Sequence, residues 1–218
     1  VYYADLWGLR GKKYEYLFEN DTETSKWQEL KPVAPYYFLV PKNFALQEEY
    51  EKFWKVTEIF KEWSSGVKTH RDHFVVGFSK EEIVQRLRIF TGDLPSELVS
   101  QGLELKDTGT WKLSEARQKV RNKNLEEKIY PYAYRPFDNR WICYEHSLID
   151  RDRFSLMKHL LRDNIGLVFP RLVKEQFTHG LVIRTIADVS SGGPHSGSET
   201  NVAPLYLYSD EPKGQLFD

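Results

Sequence analysis

Val75-Val76-Gly77-Phe78-Ser79-Lys80-Glu81-Glu82-Ile83-Val84-Gln85-Arg86-Leu87-Arg88-Ile89-Phe90 changes its period partway along. Val75 to Phe78 is a β-branched and aromatic run, the end of a strand or hairpin arm that starts near Val67. Ser79 followed by Glu82 forms a capping box, in which hydroxyl and carboxylate satisfy backbone N–H groups that a helix leaves open at its first turn. Beyond it Ile83, Leu87 and Phe90 recur at helical spacing, and Gly92-Asp93 closes the segment.

Toward the start of the chain, Tyr14, Leu17 and Phe18 have helical spacing. Residues 20–35 read as loop punctuated by Pro32 and Pro35, and Tyr36 to Val40 reads as strand up to Pro41. Leu46, Tyr50, Phe53, Trp54 and Ile59 give helical periodicity over part of 46–60. Toward the other end, Pro95–Val99 predicts a short helical turn and Ser114 the cap of a basic helix reaching about Arg121. Arg140–Tyr144 predicts a strand. Asp150 predicts the cap of a helix from Arg151 to about Asp163, with Phe154, Met157 and Leu161 facing inward. Ile165–Phe169, Leu181–Ala187 and Leu205–Tyr208 are further apolar runs, whereas 188–201 is rich in Ser, Gly, Pro and Thr and predicts a mobile loop. Helices and strands mix without strict alternation. The expected fold is therefore mixed α+β, with largely antiparallel sheets, flanking helices and long loops, taken as one domain over 1–218.

The chain has 218 residues, 40% hydrophobic and 29% charged, the composition of an ordinary globular protein. Aromatics reach 15%, which requires a substantial core or a stacking surface. A mean hydropathy of -0.58, with no apolar run near 18 residues, excludes a membrane-spanning helix. The single Cys143 excludes an internal disulfide framework and suits a reducing, cytoplasmic setting. Val1 opens the chain and Asp5, Trp7 and Tyr14 already resemble folded sequence, so we expect a piece of a longer polypeptide.

The net charge of -1 conceals an uneven distribution. Residues 1–111 hold 15 Lys and Arg against 18 Asp and Glu, residues 112–174 hold 14 against 8, and residues 175–218 hold 2 against 6. A basic middle between acidic flanks suits a phosphate backbone, and it equally suits solvated helix faces.

Thr69-His70-Arg71-Asp72-His73 has metal-ligand residue types, but two ligands on one strand face are too few for zinc. Its plainer reading is a polar loop; another is a loop tip where Lys68, His70 and Arg71 donate to a polyanion or to base edges. Asp150, Asp152 and Lys174-Glu175 lack the spacing of an acid followed by an acid-x-lysine strand. Gly8-Leu-Arg-Gly11-Lys-Lys lacks the spacing of a phosphate-binding loop, and no G-x-S-x-G elbow is present. In Tyr132-Ala-Tyr-Arg135-Pro-Phe-Asp-Asn-Arg140-Trp, aromatics interleave with arginines, followed by Arg151, Arg153 and Lys158. That pattern suits stacking and bidentate contacts to phosphate or guanine. Equally, Phe137 and Trp141 fill a core while Arg135 and Asp138 lock a turn.

Several blocks stand out: Tyr2–Tyr14, Thr69-His-Arg-Asp-His-Phe-Val-Val76, Leu105-Lys-Asp-Thr-x-x-Trp-Lys-Leu-Ser114 and Tyr134-Arg-Pro-Phe-Asp-Asn-Arg-Trp141. Leu148-Ile-Asp-Arg-x-Arg153, Asn164-Ile-Gly-Leu167 and Pro204-Leu-Tyr-Leu-Tyr208 join them. In this order, over nearly the whole chain, they resemble the C-terminal specificity region of Type ISP restriction–modification enzymes and related single-chain adenine methyltransferases. The resemblance implies a parent enzyme of phage defence that joins a nuclease, an ATP-driven translocase, an adenine-N6 methyltransferase and a target recognition domain. It implies that this segment follows the methyltransferase, binds double-stranded DNA and positions it for methylation. S-adenosylmethionine, ATP and Mg²⁺ then belong to the parent and no cofactor to this segment. Where the family often has a polar run ending Arg-Gln, this chain has Phe169-Pro170-Arg171-Leu172. The expected phosphate or base contacts are Lys68, His70, Arg71, Arg135, Arg140, Arg151, Arg153, Arg171 and Lys174, with no catalytic residue and no metal ligand. Two other classes stay open: a metal-dependent nuclease using Asp72 or Asp150, and a module that docks neighbouring domains without touching DNA.

Overall fold

A computed structural model describes residues 1–170, 172, 177, 179–193 and 199–209. It divides into two compact units, Val1–Trp54 and Lys55–Asp218. In the first, β1 (Tyr2–Tyr3) pairs antiparallel with β2 (Gln28–Glu29), joined through α1 (Arg10–Glu19). The 20–35 segment is therefore not all loop. Tyr36–Val40 is not a strand, because Pro35 and Pro41 remove ladder donors at both of its ends. The 46–60 periodicity resolves into two single turns, α2 (Gln47–Tyr50) and, in the second unit, α3 (Val56–Ile59). Leu30 is the only buried residue of the first unit.

The second unit holds the core. Its elements are β3 (Ser64–Ser65), α4 (Asp72–Val75), β4 (Val76–Gly77), α5 (Lys80–Thr91), α6 (Ser96–Gly102), α7 (Leu113–Val120), β5 (Ile129–Arg135) and β6 (Asp138–Cys143). They continue through α8 (Phe154–Met157), β7 (Gly166–Pro170), β8 (Leu181–Ile183), β9 (Ile186–Ala187) and β10 (Thr200–Pro204). One four-stranded sheet has the order β3-β10-β7-β8 and the other β4-β6-β5-β9. All pairs are antiparallel except β5 with β9. The fold is α+β.

Val67 bridges Asp188 in parallel and Lys68 bridges Arg151 in antiparallel fashion, so the 64–68 segment stitches the two sheets together. Gly66 is fixed by this seam: a Cβ there would lie 2.4 Å from the Asp188 carbonyl oxygen. The decisive helix forms as its sequence predicts. Ser79 Oγ accepts from the Glu82 N–H at 3.2 Å, and Glu82 Oε2 accepts from Phe78 N–H at 3.0 Å. Ile83, Leu87 and Phe90 of α5 are buried, with the Phe90 ring 4.8 Å from Phe74. Arg117 of α7 closes the far end, donating to the carbonyls of Phe90, Gly92 and Leu94 at 2.6–2.8 Å.

Elsewhere side chains override the periodic reading. Val67–Phe78 is not a continuous strand; the helical turn α4 interrupts it before β4. Ser114 lies inside α7, whose first N–H, that of Leu113, donates to Asp107 Oδ1 at 2.9 Å. The helix expected from Arg151 to Asp163 shrinks to α8 and a 3-10 turn (Lys158–Leu161). Arg151 is already paired with Lys68, Arg153 is left-handed at φ 55°, and Asp152 rather than Asp150 accepts from Phe154 N–H. Leu205–Tyr208 is not a strand: Asn164 Oδ1 and His159 Nδ1 take the N–H groups of Tyr206 and Tyr208. Of the 188–201 stretch, 194–198 lie outside the described residues; at its two described ends Asp188 and Ser191 are buried, Val189 N–H is bonded to the Val67 carbonyl and Thr200 opens β10.

Candidate nucleic-acid interface

The β5–β6 hairpin, with its 64–73 and 186–193 neighbours, gathers a polar network around Tyr134. The register shifts between Ala133 and Arg135, which turns Tyr134 and Arg135 out of strict alternation. Arg135 lies over one side of the Tyr134 ring, 3.8 Å from its centroid, and Arg140 lies 4.1 Å from the same centroid. The Tyr134 hydroxyl donates to Asp72 Oδ2 at 2.8 Å, and the Thr69 hydroxyl donates to Asp72 Oδ1. Burial, then the Asp72 hydrogen bond, raises the Tyr134 pKa.

Arg135 Nη1 donates to Asp188 Oδ1 at 2.8 Å and to its neighbour's carbonyl at 2.6 Å. Asp188 also accepts from Tyr132 hydroxyl at 2.7 Å and from Ser190 N–H at 2.8 Å. Its side chain is 5% exposed, and burial lifts the carboxyl above its ordinary pKa against the pull of those donors. Arg140 forks onto Asp138, with Nε 3.0 and 3.1 Å from its two oxygens and Nη2 at 2.8 Å. That fork holds the Asp138 carboxyl below its usual range. Arg140 also lies over Phe78, 4.3 Å from the ring centroid. The turn-locking alternative is thus half realised: Asp138 pairs with Arg140, not Arg135. Phe137 is exposed and Trp141 half-buried beneath Lys80.

A second cluster forms where Lys68 faces Arg151. Residues opposite one another in an antiparallel bridge project to the same side. His70 Nδ1 and Arg151 Nε each lie 3.6 Å from Asp150 Oδ2, and His70 is held at φ 57°. Arg153 Nε donates to Ser65 Oγ at 3.0 Å. Arg151 and Arg153 line an open groove of about 650 Å³ with Lys123 and Lys128, and the rings of Tyr144 and Phe154 stack there with centroids 6.4 Å apart. Lys123 is tied to Glu145 at 2.6 Å. Among the described residues Lys68 and Lys128 have no ion pair.

Four of the nine expected contacts therefore share one patch (Lys68, His70, Arg151 and Arg153), and Arg135 and Arg140 share the hairpin. Arg71 lies in the interior, 6% exposed, with its guanidinium 4.3 Å from the Trp111 ring centroid and Nε donating to the Leu148 carbonyl at 3.2 Å. Arg171 and Lys174 lie outside the described residues. Sequence reading missed Asp188, which lies far in sequence from Tyr132 and Arg135, and it counted Lys123 and Lys128 only within the basic 112–174 stretch without singling them out. Asp72 is occupied by Thr69 and Tyr134, Asp150 faces His70 and Arg151, and among the described residues no three His, Cys, Asp or Glu side chains gather. Burial, then Glu145, pushes the Cys143 thiol up to about 12.

The family described as the Type ISP C-terminal specificity domain matches residues 58–218 of this chain. No curated protein matches it. Solved structures similar at fold level include the following three. A cryo-EM structure of a DrdV–DNA complex is 19% identical with a TM-score of 0.55, over 91% of this chain and 21% of that one. The ATP-dependent Type ISP restriction-modification enzyme LlaBIII bound to DNA is 20% identical with a TM-score of 0.54, over 88% and 13%. A nuclease-deletion mutant of the Type ISP enzyme LlaGI, in complex with a DNA substrate mimic, is 17% identical with a TM-score of 0.51, over 89% and 17%. This chain thus spans between 13% and 21% of the length of the chains it matches.

Proposed function

The chain belongs to the Type ISP C-terminal specificity domain family and has a role in DNA target recognition; within that role we propose that it grips duplex DNA through the Lys68–Arg151 patch and presents it for adenine-N6 methylation by another module of its parent polypeptide. The observation that carries this reading is the groove beside that patch. Lys123, Lys128, Arg151 and Arg153 line it against only Glu145 and Asp152, and Lys128 and neighbouring Lys68 have no ion pair among the described residues. Cations held on β-bridges and turns, rather than on long free helices, bring phosphates into fixed register.

Lys68, His70, Lys128, Arg151 and Arg153 are the proposed backbone contacts. Arg135 and Arg140 are proposed to hold the hairpin that faces the bases, since each is saturated by a carboxylate and an aromatic face. The S-adenosylmethionine, ATP and Mg²⁺ of the parent are assigned to its other modules. The described residues of this chain bring together no donor set for the metal.

Each neutralised phosphate contributes about -0.9 to the slope of log K against log salt. Fluorescence anisotropy of the full-length enzyme on duplex DNA tests the assignment. The Lys68→Ala/Lys128→Ala/Arg151→Ala variant should flatten that slope by between about 2 and 3. An unchanged slope removes the groove from the DNA.

A further inference from the structure

Phe137 is 94% exposed at the turn between β5 and β6 and holds a left-handed backbone at φ 60°. Both features are unfavourable to the free domain. The ring gains nothing from burial, and glycine or asparagine would occupy that backbone region with less strain. The turn beneath it is fixed on three sides. Arg135 is bonded to Asp188, Arg140 forks onto Asp138, and a Cβ at Gly193 would lie 3.2 Å from Pro136 Cγ, so the 190–193 backbone lies close against the turn. The ring is thus an apolar blade on a stiff support.

Apart from Pro136 beneath it, its sequence neighbours Arg135, Asp138, Asn139 and Arg140 are polar, and Arg140 lies over the exposed Phe78 ring. A protein-docking face is a contiguous apolar patch, which this is not. A single ring framed by guanidinium groups matches a different partner: a base step, whose faces are apolar and whose flanking phosphates are anionic. Resting on the DNA-recognition reading above, we propose that Phe137 enters the base stack of the target duplex and parts one base step. The Arg135–Asp188 and Arg140–Asp138 pairs set its angle of entry. Specificity then arises in part from the ease with which that step unstacks, without a hydrogen bond to any base edge.

The test uses the full-length enzyme and a duplex bearing the site that methylome sequencing assigns to it. 2-Aminopurine replaces bases one at a time, at every position other than the methylated adenine. Wild type at saturation should raise fluorescence severalfold at one position. Phe137→Ala should abolish that rise and weaken binding by between about fivefold and a hundredfold, the worth of one stacked ring. Its salt slope should stay unchanged, and Phe137→Trp should restore the signal. A rise that persists in Phe137→Ala, or equal affinity, overturns the insertion while leaving DNA recognition intact. A melting temperature that drops several degrees in Phe137→Ala without DNA also overturns it, because the ring is then packed against another module. Absence of any salt-dependent binding by wild type overturns the recognition reading itself.

Discussion

Replacing Arg135 by methionine isolates the electrostatics beneath the hairpin, because Met keeps most of the volume and removes the charge. In the native protein Asp188 is a carboxylate with 5% of its side chain exposed, answered by one cation and by the neutral donors Tyr132 and Ser190. Removing one partner of a buried ion pair costs about 3–5 kcal/mol. Arg135 is 36% exposed, so water screens part of the loss, and about 2–3 kcal/mol is expected. For a chain of this size that lowers Tm by roughly 4–12 °C. Asp188→Asn in the Arg135→Met background should recover part of the loss, with a coupling of about 1–2 kcal/mol.

The pH dependence gives an independent sign. Burial already raises the folded Asp188 pKa, and Arg135 is among the groups pulling it down, so its removal raises that pKa further. A carboxyl whose folded pKa exceeds its unfolded one takes up a proton on folding. Its penalty is present at neutral pH and is relieved as pH falls through the folded value. The deficit of Arg135→Met should therefore shrink as pH falls from 7 toward the ordinary carboxylate range. Urea unfolding followed by tryptophan fluorescence measures this. A variant within about 0.5 kcal/mol of wild type at pH 7, or a deficit that grows on acidification, refutes the reasoning.

Asp138 should behave oppositely. The Arg140 fork lowers its folded pKa, so its contribution is present above the unfolded value and lost as pH falls through the folded one; Asp138→Asn should flatten the acid arm of the urea midpoint below pH 5. Arg71→Ala should destabilise by about 2–4 kcal/mol through lost packing on Trp111 and the lost Leu148 bond, with no change in the salt slope of DNA binding. Gly66→Ala should cost at least about 1–3 kcal/mol, because its Cβ meets backbone rather than a movable side chain, and a Tm equal to wild type would contradict the seam. Cys143, buried and with its thiol pushed up to about 12, should resist iodoacetamide at pH 8 until the chain is unfolded.

What the sequence discloses and what it conceals divide along a physical line. The Ser79–Glu82 box and the Ile83, Leu87, Phe90 stripe are local, and α5 forms where they place it. Gly166–Pro170 and Asp138–Cys143 are strands close to their apolar runs. The failures come where a distant group supplies a hydrogen bond. Asp107 caps α7 in place of Ser114, Asn164 and His159 hold 206–208 out of a ladder, and Lys68 captures Arg151 before a helix can begin there. The site follows the same rule. The density of Arg and Tyr at 132–140 was visible, but the partner that fixes Arg135 is Asp188, 53 residues away, inside a stretch whose Ser and Gly content predicts mobility. Reading Lys68, His70 and Arg71 as a loop tip likewise puts Arg71 outside, whereas the Leu148 carbonyl and the Trp111 ring draw it in.

The most direct test of the whole account is methylome sequencing of cells carrying the full-length parent enzyme, before and after residues 55–218 are exchanged for the matching segment of another family member with a different target. The methylated motif should change to that of the donor. Methylation that persists at the original motif would show that the bases are read by another part of the enzyme.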